Sequence, residues 1–122
     1  MTCYYFDPIE MYDENNYKVF VKYIYTEKCK ATVIKNRKKK KLSFKEYTDF
    51  EYCIDAYLIN IPKKGYTILT YTDYSSTGKI LDESKDMLNK LDDPSKIKWI
   101  AVSTNAFMNK LFKTAVEPKI TQ

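Results

Sequence analysis

The chain is predicted to fold as an α+β domain. Antiparallel β-hairpins would form a curved sheet or partly open barrel, closed by two C-terminal amphipathic helices. Three observations carry this expectation. Residues 17–25 alternate strictly between two faces, a Pro62–Gly65 punctuation separates two strand-like runs, and the last third changes to helical spacing. At 122 residues, 44 % hydrophobic and 30 % charged, the chain suits one domain, 1–122, with a modest core.

Residues 1–16 are acidic at Asp7, Glu10, Asp13 and Glu14 and read as an irregular or short helical lead-in ending in the turn-forming pair Asn15 and Asn16. The next stretch sets Tyr17, Val19, Val21, Tyr23 and Tyr25 on one side and Lys18, Phe20, Lys22 and Ile24 on the other. Period two with β-branched and aromatic residues marks a strand. A second strand is expected over 29–36, with Ala31 and Val33 opposite Thr32 and Ile34, so that the hairpin runs into the lysines that follow. The stretch 42–61 is ambiguous. A capping-box pattern at Ser43–Glu46 favours a short helix or irregular turn over 43–50, whereas alternation over 56–61 favours strand. Pro62 at a second turn position and Gly65 closing the turn favour a hairpin between 54–61 and 66–72.

In the last third, Ile80, Leu81, Ser84, Met87, Leu88 and Leu91 fall on one helical face over 79–91, with Asp82 and Glu83 in the first turn. Residues 97–103 read as an apolar strand near a sheet centre. There Trp99, the single tryptophan, is expected to anchor the core rather than serve a ligand. Asn105 is a plausible N-cap for a second helix bearing Phe107, Met108, Leu111, Phe112, Ala115 and Val116, stopped by Pro118.

What the chain lacks narrows its chemistry. It has no histidine, hence neither the usual base near neutral pH nor the commonest metal ligand. Two glycines cannot build a phosphate-cradling loop, and Cys3, Cys29 and Cys53 form no metal-binding pair. The thiols read as buried and free, in a reducing compartment. No apolar run is long enough to span a membrane and no signal peptide opens the chain, so a cytoplasmic protein without a membrane partner is expected. No cofactor, metal or catalytic residue is expected. Two close acids among Glu46, Asp49, Glu51 and Asp55 would suit Mg²⁺ chemistry, and charge balance beside the lysines explains them more simply.

Charge is the strongest functional signal. Lys35 to Lys41 place six cations in seven positions, including the only arginine, Arg37. From Lys18 to Lys45 eleven cations face Glu27 alone, a net +10 in a protein of net +5. Such a field suits phosphate; six phosphate contacts would give a log–log salt slope of about −5 on duplex or about −4 on single strands. The same run would also simply keep a mobile hairpin end soluble.

All twelve tyrosines lie between Tyr4 and Tyr74. Most are expected to pack in the core, but aromatic rings on a basic sheet are also how unpaired bases are stacked. The candidate nucleic-acid-binding set is therefore Lys18, Lys22, Lys35, Arg37, Lys38, Lys39, Lys40, Lys41 and Lys45, with Phe20, Tyr66 and Tyr71 as an exposed platform. The element order is PUA-like or OB-like in outline, by analogy alone.

The expected function is that of a small regulator that binds RNA or single-stranded DNA and acts by occlusion. The excess of lysine over arginine, with abundant Ile, Asn and Tyr, suits an AT-rich genome such as that of a plasmid, phage or virus. A protein–protein inhibitor or adaptor using the tyrosine-rich surface is the alternative, and a metal-dependent nuclease ranks third.

Overall fold

The computed structural model describes residues 1–85 and 88–120, with only the backbone of residues 89 and 90. It is α+β: a curled, half-barrel antiparallel sheet of seven strands with a C-terminal helical region. The strands are β1 (Thr2–Tyr5), β2 (Glu10–Asp13), β3 (Asn16–Ile24), β4 (Phe50–Asn60), β5 (Gly65–Ser75), β6 (Ile80–Ser84) and β7 (Ile100–Ala101). Their order is β1-β3-β4-β5-β6, with β2 also on β3 and β7 also on β5. No helix among the described residues is long and apolar enough to cross a membrane.

The alternation expected in residues 17–25 is realised in β3. Tyr17, Val19 and Val21 are buried on the concave face, where Ile59 and Tyr57 of β4 lie opposite Tyr17 and Val19. The helical region fills this concavity. Asn105 caps α2 (Ala106–Leu111) by accepting the Met108 N–H at 3.0 Å, and Met108, Leu111, Phe112 and Val116 are buried against β3 and β4. Pro118 does not stop the chain. A π-turn over Phe112–Val116 leads into α3 (Glu117–Ile120). A proline has no N–H to offer and its ring crowds the carbonyl four residues back, so a widened turn just before it accommodates both.

The hairpin of β4 and β5 forms as expected. Pro62 lies inside the turn closed by Lys64 N–H to the Ile61 carbonyl, at 3.2 Å. Gly65 is demanded by close approach: a Cβ there would meet Trp99 Cβ at 3.2 Å and the Ile100 carbonyl at 3.3 Å, because β7 pairs beside it. The short helical stretch expected within 43–50 is a 3₁₀ turn, Lys45–Asp49.

Several further expectations are corrected. Residues 29–36 are not a strand but the middle of α1 (Glu27–Lys39), whose N-cap Thr26 accepts the Cys29 N–H at 3.2 Å. Its inward side is Lys30, Val33, Ile34 and Arg37. The two outer members of that stripe are cations, so the hydrophobic pattern concealed it.

Residues 79–91 do not form one helix. Ser75 Oγ accepts the N–H of Thr77 (3.3 Å) and of Lys79 (3.1 Å), and Gly78 takes φ 85°. This tight turn folds β6 back onto β5, so ladder pairing overrides helical spacing. A 3₁₀ turn follows at Leu88–Asp92, and Met87 lies outside the described residues.

Residues 1–16 are not an irregular lead-in, because β1 and β2 extend β3. Only Ile100–Ala101 of the apolar run 97–103 is strand, and it lies at the periphery. Trp99 is half-buried and covers a small cluster of Ala56, Leu58 and Leu69 on the convex face. The three cysteines are free thiols, of which only Cys53 is buried.

Candidate nucleic-acid interface

Directly paired residues in an antiparallel sheet point to the same side. The convex face can therefore be traced from β3 outward. Opposite Lys18, Phe20, Lys22 and Ile24 stand Leu58, Ala56, Ile54 and Tyr52 of β4. Thr70, Thr72 and Tyr74 of β5 continue the rows, and Tyr4 of β1 lies opposite Lys22.

Part of this face, around Leu58 and Leu69, is covered by Trp99 and Leu91. The remainder carries rings and ammonium groups together. Tyr4 is 41 % exposed, Phe6 40 % and Phe20 38 %. Lys18 Nζ lies 5.0 Å from the Phe20 centroid and Lys22 Nζ 4.2 Å from that of Tyr52. Tyr52 and Tyr74 stack at 4.8 Å, while Tyr4 and Phe6 meet edge-on at 5.7 Å. Three acids share the face, Glu10 opposite Lys18, Asp13 opposite Asn16 and Glu83 opposite Thr72.

Magnitudes indicate what such a face can do. An exposed cation–π contact contributes about 0.5–1 kcal/mol. A base stacked on a ring contributes about 1–3 kcal/mol. A stacked base would thus outweigh the ammonium contact that it displaced from the ring.

The structure sorts the expected site residues. Phe20, Lys18 and Lys22 share one face, as the alternation required. Tyr66 is 7 % exposed and packs edge-on against Tyr57 at 5.6 Å in the concave core, so it is no exposed platform. Tyr71 is 37 % exposed but stands opposite Asp55 on the concave side, away from Phe20. A bulge between Ala56 and Tyr57 shifts the register there. Tyr4, Phe6, Tyr52 and Tyr74 join this face without a signal in the sequence that singles them out. Tyr4 and Phe6 alternate in sequence, but the acids and Pro8 around them masked a strand.

The lysine run is not a hairpin end. Lys35, Lys38 and Lys39 are exposed on α1, Lys40 and Lys41 follow its last turn, and Lys45 opens the 3₁₀ turn. Cations in a last helical turn are favoured by the helix dipole. Lys38 also lies 4.8 Å from the Phe44 ring centroid.

Arg37 is a different case. It ion-pairs with Asp82 at 3.1 Å, lies 4.1 Å over the Tyr47 ring and donates to the Ser43 carbonyl; its side chain is only 12 % exposed. It docks α1 on β6 and is not available to phosphate. The run rides on α1 at the concave side, away from the convex rings, so changing Lys38, Lys39, Lys40 and Lys41 together to glutamine tests whether it reaches a bound strand: several-fold weaker nucleic-acid binding means that it does. The salt slope should fall by up to about 0.7–0.9 per lost contact, with little change in melting temperature. Anisotropy titrations at several salt concentrations check this, and unchanged affinity would remove the run from the interface.

The acids do not converge as a metal site. Glu46 pairs with Lys79 at 3.5 Å, Glu51 with Lys30 at 3.0 Å, and Asp49 accepts the Ser76 hydroxyl at 2.7 Å. Among the described residues no group of three or more metal-ligating side chains is assembled.

Asp55 lies apart, 9 % exposed on the concave face. Burial pushes its carboxyl up to about 6, although Tyr57 Oη–H (3.2 Å) and Cys53 Sγ–H (3.6 Å) donate to it and oppose that rise. Burial likewise pushes the Cys53 thiol up to about 12. Asp73, raised in the same direction by burial, accepts the Tyr47 hydroxyl at 2.6 Å. No protein-family model, curated protein or solved structure matches this chain.

Proposed function

We propose that this protein binds single-stranded nucleic acid, RNA or single-stranded DNA, across the uncovered part of its convex sheet face. The observation that carries the reading is the interleaving of Tyr4, Phe6, Phe20, Tyr52 and Tyr74 with Lys18 and Lys22 on one side of the sheet. Rings offer stacking to any base and lysines offer charge to any backbone, so the strand would be held with little base preference by this face alone. The mechanism is occlusion: a strand lying on the sheet is withheld from other factors. The composition suits a regulatory protein encoded by a mobile element or virus with an AT-rich genome.

The test is anisotropy titration against labelled single-stranded RNA, single-stranded DNA and duplex DNA at two salt concentrations. Salt-sensitive preference for one of the single-stranded ligands is expected. Phe20→Ala should then weaken binding by about 1–3 kcal/mol, about 5- to 150-fold, while the half-exposed ring leaves stability nearly unchanged. An equal affinity for duplex, or no effect of Phe20→Ala, would overturn the reading.

A second reading has its own support. Tyr4, Phe6, Met11 (67 % exposed) and Tyr12 (50 % exposed) leave apolar surface on and beside the edge strands β1 and β2, which suits a protein partner and an inhibitor or adaptor role. Absence of nucleic-acid binding near physiological salt would favour it.

A further inference from the structure

The rings and lysines of the convex face account for holding a strand but not for discriminating one base from another. At the β2–β3 end of the same face lies a cavity of about 350 Å³ whose lining includes Tyr12, Asn16, Leu58, Asn60, Lys63 and Trp99. Its continuity with the strip follows from register. Leu58 stands opposite Lys18 and Asn60 opposite Asn16, two and four residues along β3 from Phe20. The size falls in the range of small-ligand sites.

Its chemistry is that of a base pocket. Two aromatic side chains from separate parts of the chain, Tyr12 and Trp99, line it, and Lys63 Nζ lies 6.0 Å from the Trp99 ring centroid. Leu58, 2 % exposed, supplies an apolar wall.

The amides are held in place by a relay. Asp13 accepts from Asn16 Nδ2 (2.9 Å), Asn16 Oδ1 accepts from Asn60 Nδ2 (3.1 Å), and Asn60 Oδ1 accepts the Lys63 N–H (2.9 Å). An asparagine amide can make four hydrogen bonds, and these contacts use two of Asn60's. A fixed donor and a fixed acceptor valence side by side match the edge of a base, as amides do in pairing with adenine.

We infer that the Tyr12–Trp99 cavity accepts one unpaired nucleobase of the strand bound on the convex face, stacked on the aromatic lining and read by the Asn60 amide. Lys63 leaves the Trp99 ring for the adjoining phosphate. This inference rests on the nucleic-acid reading above, and it adds a position at which base identity matters.

Trp99 is the only tryptophan, so tryptophan emission comes from a residue that lines this cavity. The protein is titrated with a single-stranded oligonucleotide and with an abasic strand of the same length, following tryptophan emission and, in parallel, anisotropy of the labelled strand. The base-bearing strand should quench Trp99 and the abasic strand should not. Tyr12→Ala, at a half-exposed position, should lower affinity for the base-bearing strand about 5- to 150-fold and leave the abasic strand unaffected.

Strand binding by anisotropy with unchanged Trp99 emission, insensitive to Tyr12→Ala, would overturn the pocket while the sheet interface stands. If no strand binds, the interface reading fails and adenosine and uridine monophosphates decide the pocket. Quenching at millimolar nucleotide upholds it, and its absence overturns it.

Discussion

Asparagine in place of Asp55 is expected to make the protein more stable at neutral pH, by up to about 3 kcal/mol. The carboxyl is raised from 3.8 to about 6 in the fold because its charged form is buried, and each unit corresponds to about 1.4 kcal/mol. Between these two values the native state holds more protons than the unfolded chain, so stability falls as pH rises. The contribution of neutral Asp55 is complete below 3.8 and is lost as pH passes through about 6. Asp73 adds a slope of the same sign, which persists in the variant.

Urea midpoints measured from pH 4 to pH 8 should therefore diverge, with Asp55→Asn gaining on the parent until the difference levels off above about pH 7. The competing effect is the loss of charge on the acceptor of the Tyr57 and Cys53 hydrogen bonds. A variant less stable than the parent at pH 7 would mean that those bonds outweigh desolvation.

Phe50→Ala is expected to cost about 3–5 kcal/mol, since truncating a buried phenylalanine forfeits its transfer energy and leaves a cavity. Phe50 is 1 % exposed, between Tyr25 at 5.0 Å and Tyr47 at 5.3 Å, in the cluster against which Val33 and Ile34 of α1 pack. For a chain of this size the loss corresponds to a fall of roughly 10–20 °C in melting temperature, readable by circular dichroism. A fall below about 4 °C would show that the concave side near α1 relaxes freely and is poorly packed. The same cluster carries the helix with the lysine run. Its loosening should also reduce any contribution of Lys38–Lys41 to ligand binding.

The legible parts of the fold share one property: their pattern is local and apolar. The alternation in β3, the Pro62 turn between β4 and β5, and the Asn105 cap each lie within a few residues, so the sequence alone was sufficient. The misread parts depend on partners remote in the chain. The sequence of α1 reads as a strand because the outer residues of its docking stripe are Lys30 and Arg37, whose partners Glu51 and Asp82 lie 21 and 45 positions away. β6 carried a helical spacing, but the Ser75–Gly78 turn brought it within reach of β5, and pairing with a formed edge outweighs a weak helical preference.

The candidate interface was legible only in its first row. Lys18, Phe20 and Lys22 share a face because period two allows nothing else once Val19 and Val21 are buried. Whether a given tyrosine reaches solvent could not be read in this way. Tyr66 and Tyr71 lie on one strand, yet a bulge and the covering α2 leave one in the core and the other half-exposed on the same concave side.

Composition and pattern by themselves determined an α+β domain with a curled antiparallel sheet, a helical C-terminal region and a strongly basic segment from Lys18 to Lys45. Tertiary structure alone decided that Arg37 is an internal clamp, that Asp55 is buried apart from its neighbouring acids, and that Tyr12 and Trp99 line one cavity. The physical reason is that period and charge are properties of neighbours along the chain. Register, burial and ion pairing are set by which distant segments meet, and only the folded sheet specifies that.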